Sequence, residues 1–148
     1  MDCLTPMVDV LAACGWQNIV IETVGAGQAE IRVVAFADRI LLVDGPDRGD
    51  IIQAEKAGIM ELADIIAINK SDLPNSQQAA DSVRSAIGLS QVPQPPVHLV
   101  SAHEGSGVDE LLEAIESCSG SHLRGRLRTR DKILSAWDSR LLDHPRLN

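Results

Sequence analysis

The sequence predicts an α/β fold with a mostly parallel sheet and flanking helices, because short apolar runs alternate with segments of helical periodicity. The apolar runs are rich in Ile, Leu and Val, as strands buried on both faces of a sheet are. Aromatic residues make up only 2% of the 148 residues, so the core must consist of aliphatic side chains. A chain of this length is expected to form one compact domain.

Predicted strands and helices occupy most of the chain. The strands are predicted at Asn18–Ile21, Arg39–Val43, Ile65–Ile68 and Val97–Val100. The helices are predicted at Thr5–Cys14, Ile51–Ala63, Asn75–Ile87 and Val108–Cys118. A Ser-Gly-Ser hinge beginning at Ser119 then divides a domain of residues 1–118 from a C-terminal helical extension of residues 119–148. Alternation of strands and helices with short loops indicates βαβ units.

Composition disfavours several classes of function. The net charge of −8 opposes binding to nucleic acids and to anionic membranes. The three cysteines are odd in number and lack C-x-x-C spacing, so we expect no disulfide framework and a reducing, cytoplasmic location. No apolar run approaches the ~18 residues of a transmembrane helix. A nucleotide can still bind to an acidic protein, because backbone N–H groups and a metal ion supply local positive potential.

A polar segment, Asn69-Lys-Ser-Asp72, directly follows the predicted strand Ile65–Ile68. Ligands of open parallel sheets bind at the carboxyl ends of the strands. There the Asp72 carboxylate can accept hydrogen bonds from N1–H and from the exocyclic amino group of guanine, whereas adenine offers no such pair of donors. Lys70 can lay its methylene stem over the base, and Asn69 can tie neighbouring loops together. The alternative is an ordinary turn, because Asn and Asp are common turn residues.

A second segment, Ser101-Ala102, follows the strand predicted at Val97–Val100. The small side chain of Ala102 lets its backbone N–H approach the O6 atom of guanine. Taken alone, this segment is equally a simple loop. It comes one βα unit after Asn69–Asp72, however, so the two loops should be neighbours and one base could contact both.

A third segment contains Glu22, Gly25 and Gln28, after the first predicted strand. A carboxylate at a strand end can hold Mg²⁺ through a water molecule. A glycine a few residues further on can offer its N–H to a terminal phosphate at close range, and such a loop would sense whether that phosphate is present. The alternative is a glycine-rich turn at the exit of a strand.

These segments together resemble the MeaB/ArgK family, a group of SIMIBI-class P-loop GTPases also labelled LAO/AO transport ATPases. The resemblance rests on three runs in this order, Ile21–Gln28, Ala57–Asp64 and Asn69–Asp72, of which Ala57–Asp64 is the most specific to the family. It extends from about Thr5 to about Trp137. Because members of this family are GTPases, the resemblance implies a protein that binds GTP or GDP with Mg²⁺. Members also act as chaperones of methylmalonyl-CoA mutase, so the resemblance implies that role as well.

The resemblance also implies roles for individual residues. Glu22 would be the acid linked to Mg²⁺ through water, Gly25 the glycine that senses the phosphate, and Gln28 a residue of the same mobile loop. Guanine would be bound by Asn69, Lys70, Asp72, Ser101 and Ala102. A cobalamin-dependent mutase would be the protein partner, contacted through the loop Asp44–Gln53, and the protein could form a homodimer.

Two features depart from the family pattern. The chain contains no G-x-x-x-x-G-K-[ST] segment, the P-loop that supplies most phosphate contacts. Arg48 also replaces a glycine that the family usually has in the loop Asp44–Gln53. We therefore expect a partial GTPase domain, truncated at the N-terminus and unable to hydrolyse GTP alone. Two alternatives stay open: a non-catalytic partner-binding remnant, and an ATPase or kinase linked to arginine and ornithine transport.

Overall fold

The structure, a computed structural model, describes residues 4–23, 37–46, 60, 62–88 and 94–119. Its elements in chain order are α1 (Leu4–Ala13), β1 (Leu41–Asp44), β2 (Ile65–Ile68), α2 (Ser76–Ile87), β3 (Val97–Leu99) and α3 (Val108–Ser117). The α/β class is thereby confirmed. Most of the helix predicted at Ile51–Ala63 lies outside the described residues, as does the predicted extension from residue 120 onwards.

The three strands pair in parallel in the order β1-β2-β3. Asp44 is in register with Ile68, and Ile68 is in register with Leu99, so all three strands end at the same level. The loops after these strands therefore open along one edge of the sheet, which is where ligands of parallel sheets bind.

The core is centred on β2, the middle strand, whose residues are all buried. Ile66 and Ile68 point to one face of the sheet, where α2 packs on them through Ala80, Val83 and Ile87. Ile65 and Ala67 point to the opposite face and are only 1% and 2% exposed. Because both faces of β2 are covered, an entirely apolar strand is stable here, as its sequence predicts.

The start of the sheet is fixed by Asp64, the last residue of the family-specific run Ala57–Asp64. Its Oδ2 atom accepts the N–H of Ile40 at 2.7 Å, while its own N–H donates to the Ile40 carbonyl oxygen at 2.9 Å. This double contact sets the register of β1 against β2. The polar loops at the far end of both strands are consequently held level.

The strand predicted at Asn18–Ile21 is wrong: these residues are not a strand, and Val20 is 91% exposed. A short β-branched run forms a strand only where a neighbouring strand completes its hydrogen bonds. In the described part of the chain the sheet consists of β1, β2 and β3 alone. The run therefore has the composition of a strand without the pairing that would make it one.

Within the residues that the structure describes, no helix is long and apolar enough to span a membrane.

Candidate functional site

Asn69, the first residue after β2, connects the ends of all three strands. Its backbone N–H donates to the carbonyl oxygen of Asp44 at the end of β1, at 2.7 Å. Its side-chain Oδ1 accepts two hydrogen bonds, from the N–H of Lys70 at 2.8 Å and from the N–H of Ala102 at 3.1 Å. The loops that follow β2 and β3 are therefore joined through this one side chain.

A second bond joins the same two loops. Ser101 is fully buried, and its Oγ donates to the Oδ1 atom of Asp72 at 2.5 Å. The same hydroxyl oxygen accepts the N–H of Glu104 at 3.2 Å. The backbone of Ser101 bonds to Ser106 and Gly105 in the turn that follows. Because both the backbone and the hydroxyl of Ser101 are hydrogen-bonded, the hydroxyl holds the exposed Asp72 side chain in a defined position.

The pKa of Asp72 lies below its ordinary value of 3.8, chiefly because the Ser101 hydroxyl donates a hydrogen bond to the carboxylate. The N–H of Asp72 itself also lowers this pKa, desolvation raises it, and weaker electrostatic effects of His103 and Lys70 lower it. The carboxylate is therefore ionised at neutral pH and can only accept hydrogen bonds. A ligand that presents two adjacent N–H donors suits it.

The loop between β2 and α2 folds back on itself in a compact turn. Lys70 has a φ of 61° and Asn75 a φ of 73°, both in the left-handed region. The N–H of Leu73 closes the turn on the carbonyl oxygen of Lys70 at 3.0 Å. Asn75 precedes α2 as expected, but its side chain makes no capping hydrogen bond. Lys70 is exposed beside Asp72, so its stem is accessible to a ligand.

The turn after β3 depends on Gly107, which has a φ of 72°. A Cβ atom at this position would collide with the carbonyl oxygen of Leu99. Gly105 in the same turn has a similar φ of 75°, but a Cβ there would meet nothing within 4 Å. The close approach of Gly107 to β3 therefore fixes where the Ser101-Ala102 segment lies.

Replacing Gly107 should damage this turn far more than replacing its neighbour. We expect Gly107→Ala to lower the free energy of unfolding by more than about 2 kcal/mol, because ~1–2 kcal/mol of left-handed backbone strain adds to the clash. Gly105→Ala carries the strain without the clash and should cost about 1 kcal/mol. Urea unfolding followed by circular dichroism measures both. Equal losses would show that the contact with Leu99 does not constrain the turn.

Of the residues assigned to phosphate and metal, Glu22 alone is among the residues that the structure describes. Glu22 is exposed in the irregular stretch after α1, and within the described ranges no hydrogen bond or ion pair joins it to the two loops. Gly25 and Gln28 lie outside the described residues. Among the residues that are described, no group of three or more His, Cys, Asp or Glu could hold a metal ion.

Sequence reasoning missed three residues that shape the loops. Gly107 was visible only as a glycine near the Ser-Ala segment, and its contact with Leu99 requires the folded turn. His103 directly follows Ala102, which was the available signal for its position beside Asp72. Ser76, at the start of α2, donates to the carbonyl oxygen of Ser71 at 3.1 Å, and no sequence pattern indicated that bond.

A parallel α/β sheet whose successive strand ends carry an N-K-x-D loop and a Ser-Ala loop has the architecture of a GTPase domain. Comparison with known families agrees: the family described as methylmalonyl Co-A mutase-associated GTPase MeaB matches residues 3–138. The chain belongs to this family.

Individual relatives are consistent with the family match. A protein of Mycobacterium tuberculosis described as a probable GTPase is 39% identical over 116 residues, which are 74% of this chain and 34% of that protein. The GTPase ArgK of Escherichia coli is 36% identical over 110 residues, 70% of this chain and 33% of ArgK. The mouse methylmalonic aciduria type A homolog, described as mitochondrial, is 34% identical over 132 residues, 80% of this chain and 32% of the homolog. The chain spans about a third of the length of these curated relatives.

Proposed function

We propose that this chain is the guanine-reading part of a MeaB/ArgK-type GTPase. The observation that carries the proposal is the Ser101–Asp72 hydrogen bond, which fixes an ionised carboxylate between two strand-end loops. The Asn69–Ala102 hydrogen bond holds the same loops together on the other side of the site. Both bonds join the two loops that carry the groups proposed to contact the base.

Each side chain has a distinct task in this proposal. The Asp72 carboxylate accepts N1–H and the exocyclic amino group of guanine. The sequence predicts that the Ala102 N–H approaches the O6 atom of guanine, whereas in the structure this N–H donates to Asn69 Oδ1. The part proposed for the exposed Ala102 is therefore the room that its methyl group leaves for O6. Lys70 covers the face of the base with its stem and keeps its ammonium group in water. Asn69 and Ser101 hold the loops without contacting the base edge.

This arrangement favours guanine over adenine on chemical grounds. Adenine has an acceptor at N1 and no amino group at C2, so Asp72 would face it without a hydrogen bond. A site that pairs with specific donors rejects an analogue lacking them by up to ~10⁴-fold. The proposal therefore supports a GTPase and argues against an ATPase or kinase of arginine and ornithine transport.

Three residues are assigned to the phosphate end of the nucleotide. Glu22 would be the Mg²⁺-linked acid, Gly25 the phosphate-sensing glycine and Gln28 a member of the same loop, all by family resemblance. Mg²⁺, when bound, would neutralise charge on the phosphate oxygens. A lone exposed carboxylate cannot hold the ion by itself, so Glu22 would act through water and next to other ligands.

The proposed protein partner is a cobalamin-dependent mutase, and the name of the matching family supports it. The loop Asp44–Gln53 would carry the signal, since it begins at the strand end that Asn69 contacts. A homodimer, a cytoplasmic location and the division into residues 1–118 and 119–148 belong to the same proposal. So does the status of the chain as a fragment that binds guanine nucleotide without hydrolysing it.

Nucleotide preference tests the proposal directly. NMR titration of the chain with GMP and with AMP avoids any dependence on a terminal phosphate. We expect GMP to shift the amide signals of Ala102 and Asp72 and to bind at least ~10-fold more tightly than AMP. Titration with ribose 5-phosphate controls for binding through sugar and phosphate alone. Equal affinities for GMP and AMP would rule out a guanine site at these loops.

A further inference from the structure

Ser76, the first residue of α2, lies beneath the loop that carries Asp72. Its side chain is buried, with the residue only 8% exposed, and its Oγ donates to the carbonyl oxygen of Ser71 at 3.1 Å. That carbonyl belongs to the peptide bond that joins Ser71 to Asp72. The Ser76 hydroxyl thus contacts the backbone immediately before the carboxylate proposed to read guanine.

Ser71 is anchored a second time on its other side. Its N–H donates to the carbonyl oxygen of Val100, the residue after β3, at 3.0 Å. The peptide groups before and after Ser71 are therefore both held, one by Val100 and one by Ser76. Since the side chain of Asp72 is exposed, these backbone anchors and the Ser101 hydroxyl set its direction.

We propose that Ser76 is a positioning residue of the guanine site, one that orients the Ser71–Asp72 peptide so that the Asp72 carboxylate faces the N1–H and amino group of the base. This inference rests on the proposed function. Ser76 does not contact the nucleotide itself; it acts through the peptide plane. Without its hydroxyl, the Ser71 carbonyl loses its buried donor and the peptide can rotate, which turns the carboxylate away.

The alignment of Asp72 affects the affinities for GMP and IMP differently. Guanine and hypoxanthine share N1–H and O6, but hypoxanthine lacks the exocyclic amino group. The difference in affinity between GMP and IMP therefore reports how well Asp72 is aligned with the amino group. A loss of general stability would weaken both ligands alike and leave their affinity ratio unchanged.

The experiment titrates Ser76→Ala with GMP and with IMP by NMR. We expect the affinity for both ligands to fall, because both present N1–H to Asp72, and the GMP affinity to fall roughly fivefold further, the equivalent of the one hydrogen bond that only the amino group makes. Ser82→Ala is the matched control, because the Ser82 hydroxyl on the same helix donates only to the Gln78 carbonyl oxygen, at 2.9 Å. Ser76→Cys keeps the volume and weakens the donor, so it replaces the alanine variant if that variant does not fold.

The outcomes separate this inference from the proposed function. A lowered GMP-to-IMP ratio in the Ser76 variants, with the wild-type ratio in Ser82→Ala, supports a positioning role. An unchanged ratio in Ser76→Ala or Ser76→Cys, with only a lower melting temperature, would mean that Ser76 merely stabilises α2 and would overturn the inference. A wild-type chain that does not distinguish GMP from IMP would overturn the guanine site itself.

Discussion

Purified chain incubated with Mg²⁺ and GTP should release no phosphate above the rate in buffer. Phosphoryl transfer depends on positioning and on stabilising charge at the phosphate oxygens, which the P-loop backbone, its lysine and its Ser/Thr–Mg²⁺ contact normally supply. The sequence has no G-x-x-x-x-G-K-[ST] segment, so none of these groups is present. Loss of a single preorganised donor commonly costs ~10²–10³ in rate. Loss of the whole set should abolish a slow reaction.

Glu22→Ala provides the control for that measurement, because Glu22 is the residue assigned to the metal ion. If release is absent, the variant and the unmodified chain should give identical background rates. Clear phosphate release that disappears in Glu22→Ala would contradict the expectation. It would show that the chain holds the triphosphate and Mg²⁺ well enough for catalysis, with groups other than a P-loop.

The second large effect is expected for Asp72→Asn, which should reverse the base preference from guanine to xanthine. An asparagine offers one acceptor and one donor, whereas guanine presents two donors at N1 and C2. Xanthine carries a carbonyl at C2 and accepts the new N–H. Hydrogen bonds to a charged group contribute ~1.5–3 kcal/mol each, so GMP affinity should fall by at least about tenfold. XMP should then bind more tightly than GMP.

Asp9→Asn is the matched control for this substitution. Asp9 is exposed on α1, outside the two loops, so the variant makes the same change in net charge. NMR titration with GMP and XMP compares both variants with the unmodified chain. If Asp72→Asn binds GMP as the unmodified chain does, Asp72 does not read the base, and the lowered pKa of its carboxyl has only a structural meaning.

Much of the fold could be predicted because its signals are local. The strand Ile65–Ile68 has the predicted bounds, and α1 and α3 begin or end within one residue of theirs. Apolar periodicity decides these elements within a few residues of chain. The failure at Asn18–Ile21 has the opposite cause, since a strand requires hydrogen bonds from another strand and composition cannot supply them.

The candidate site also has features that the sequence predicts and features that it does not. The sequence predicts that the loops after Ile65–Ile68 and Val97–Val100 are neighbours, because successive parallel strands end at one edge of a sheet. Asp72 and Ser101 lie 29 positions apart, and the hydrogen bond between them joins those loops. Which atoms bond was not predictable, because side-chain geometry depends on the exact course of two turns.

The sequence by itself therefore determined the α/β class, the helix α1, the strand β2, the helix α3 and the polar segments at the strand ends, since each depends on residues close together in the chain. Only the tertiary structure decided that Ser76 holds the Ser71 carbonyl, that Gly107 lies against Leu99, and that Ser101 supports the Asp72 carboxylate. These contacts join atoms brought together by the turning of the chain. The sequence shows that a position is a serine or a glycine, but not which atom its hydroxyl will bond or which atom will lie where a Cβ would be.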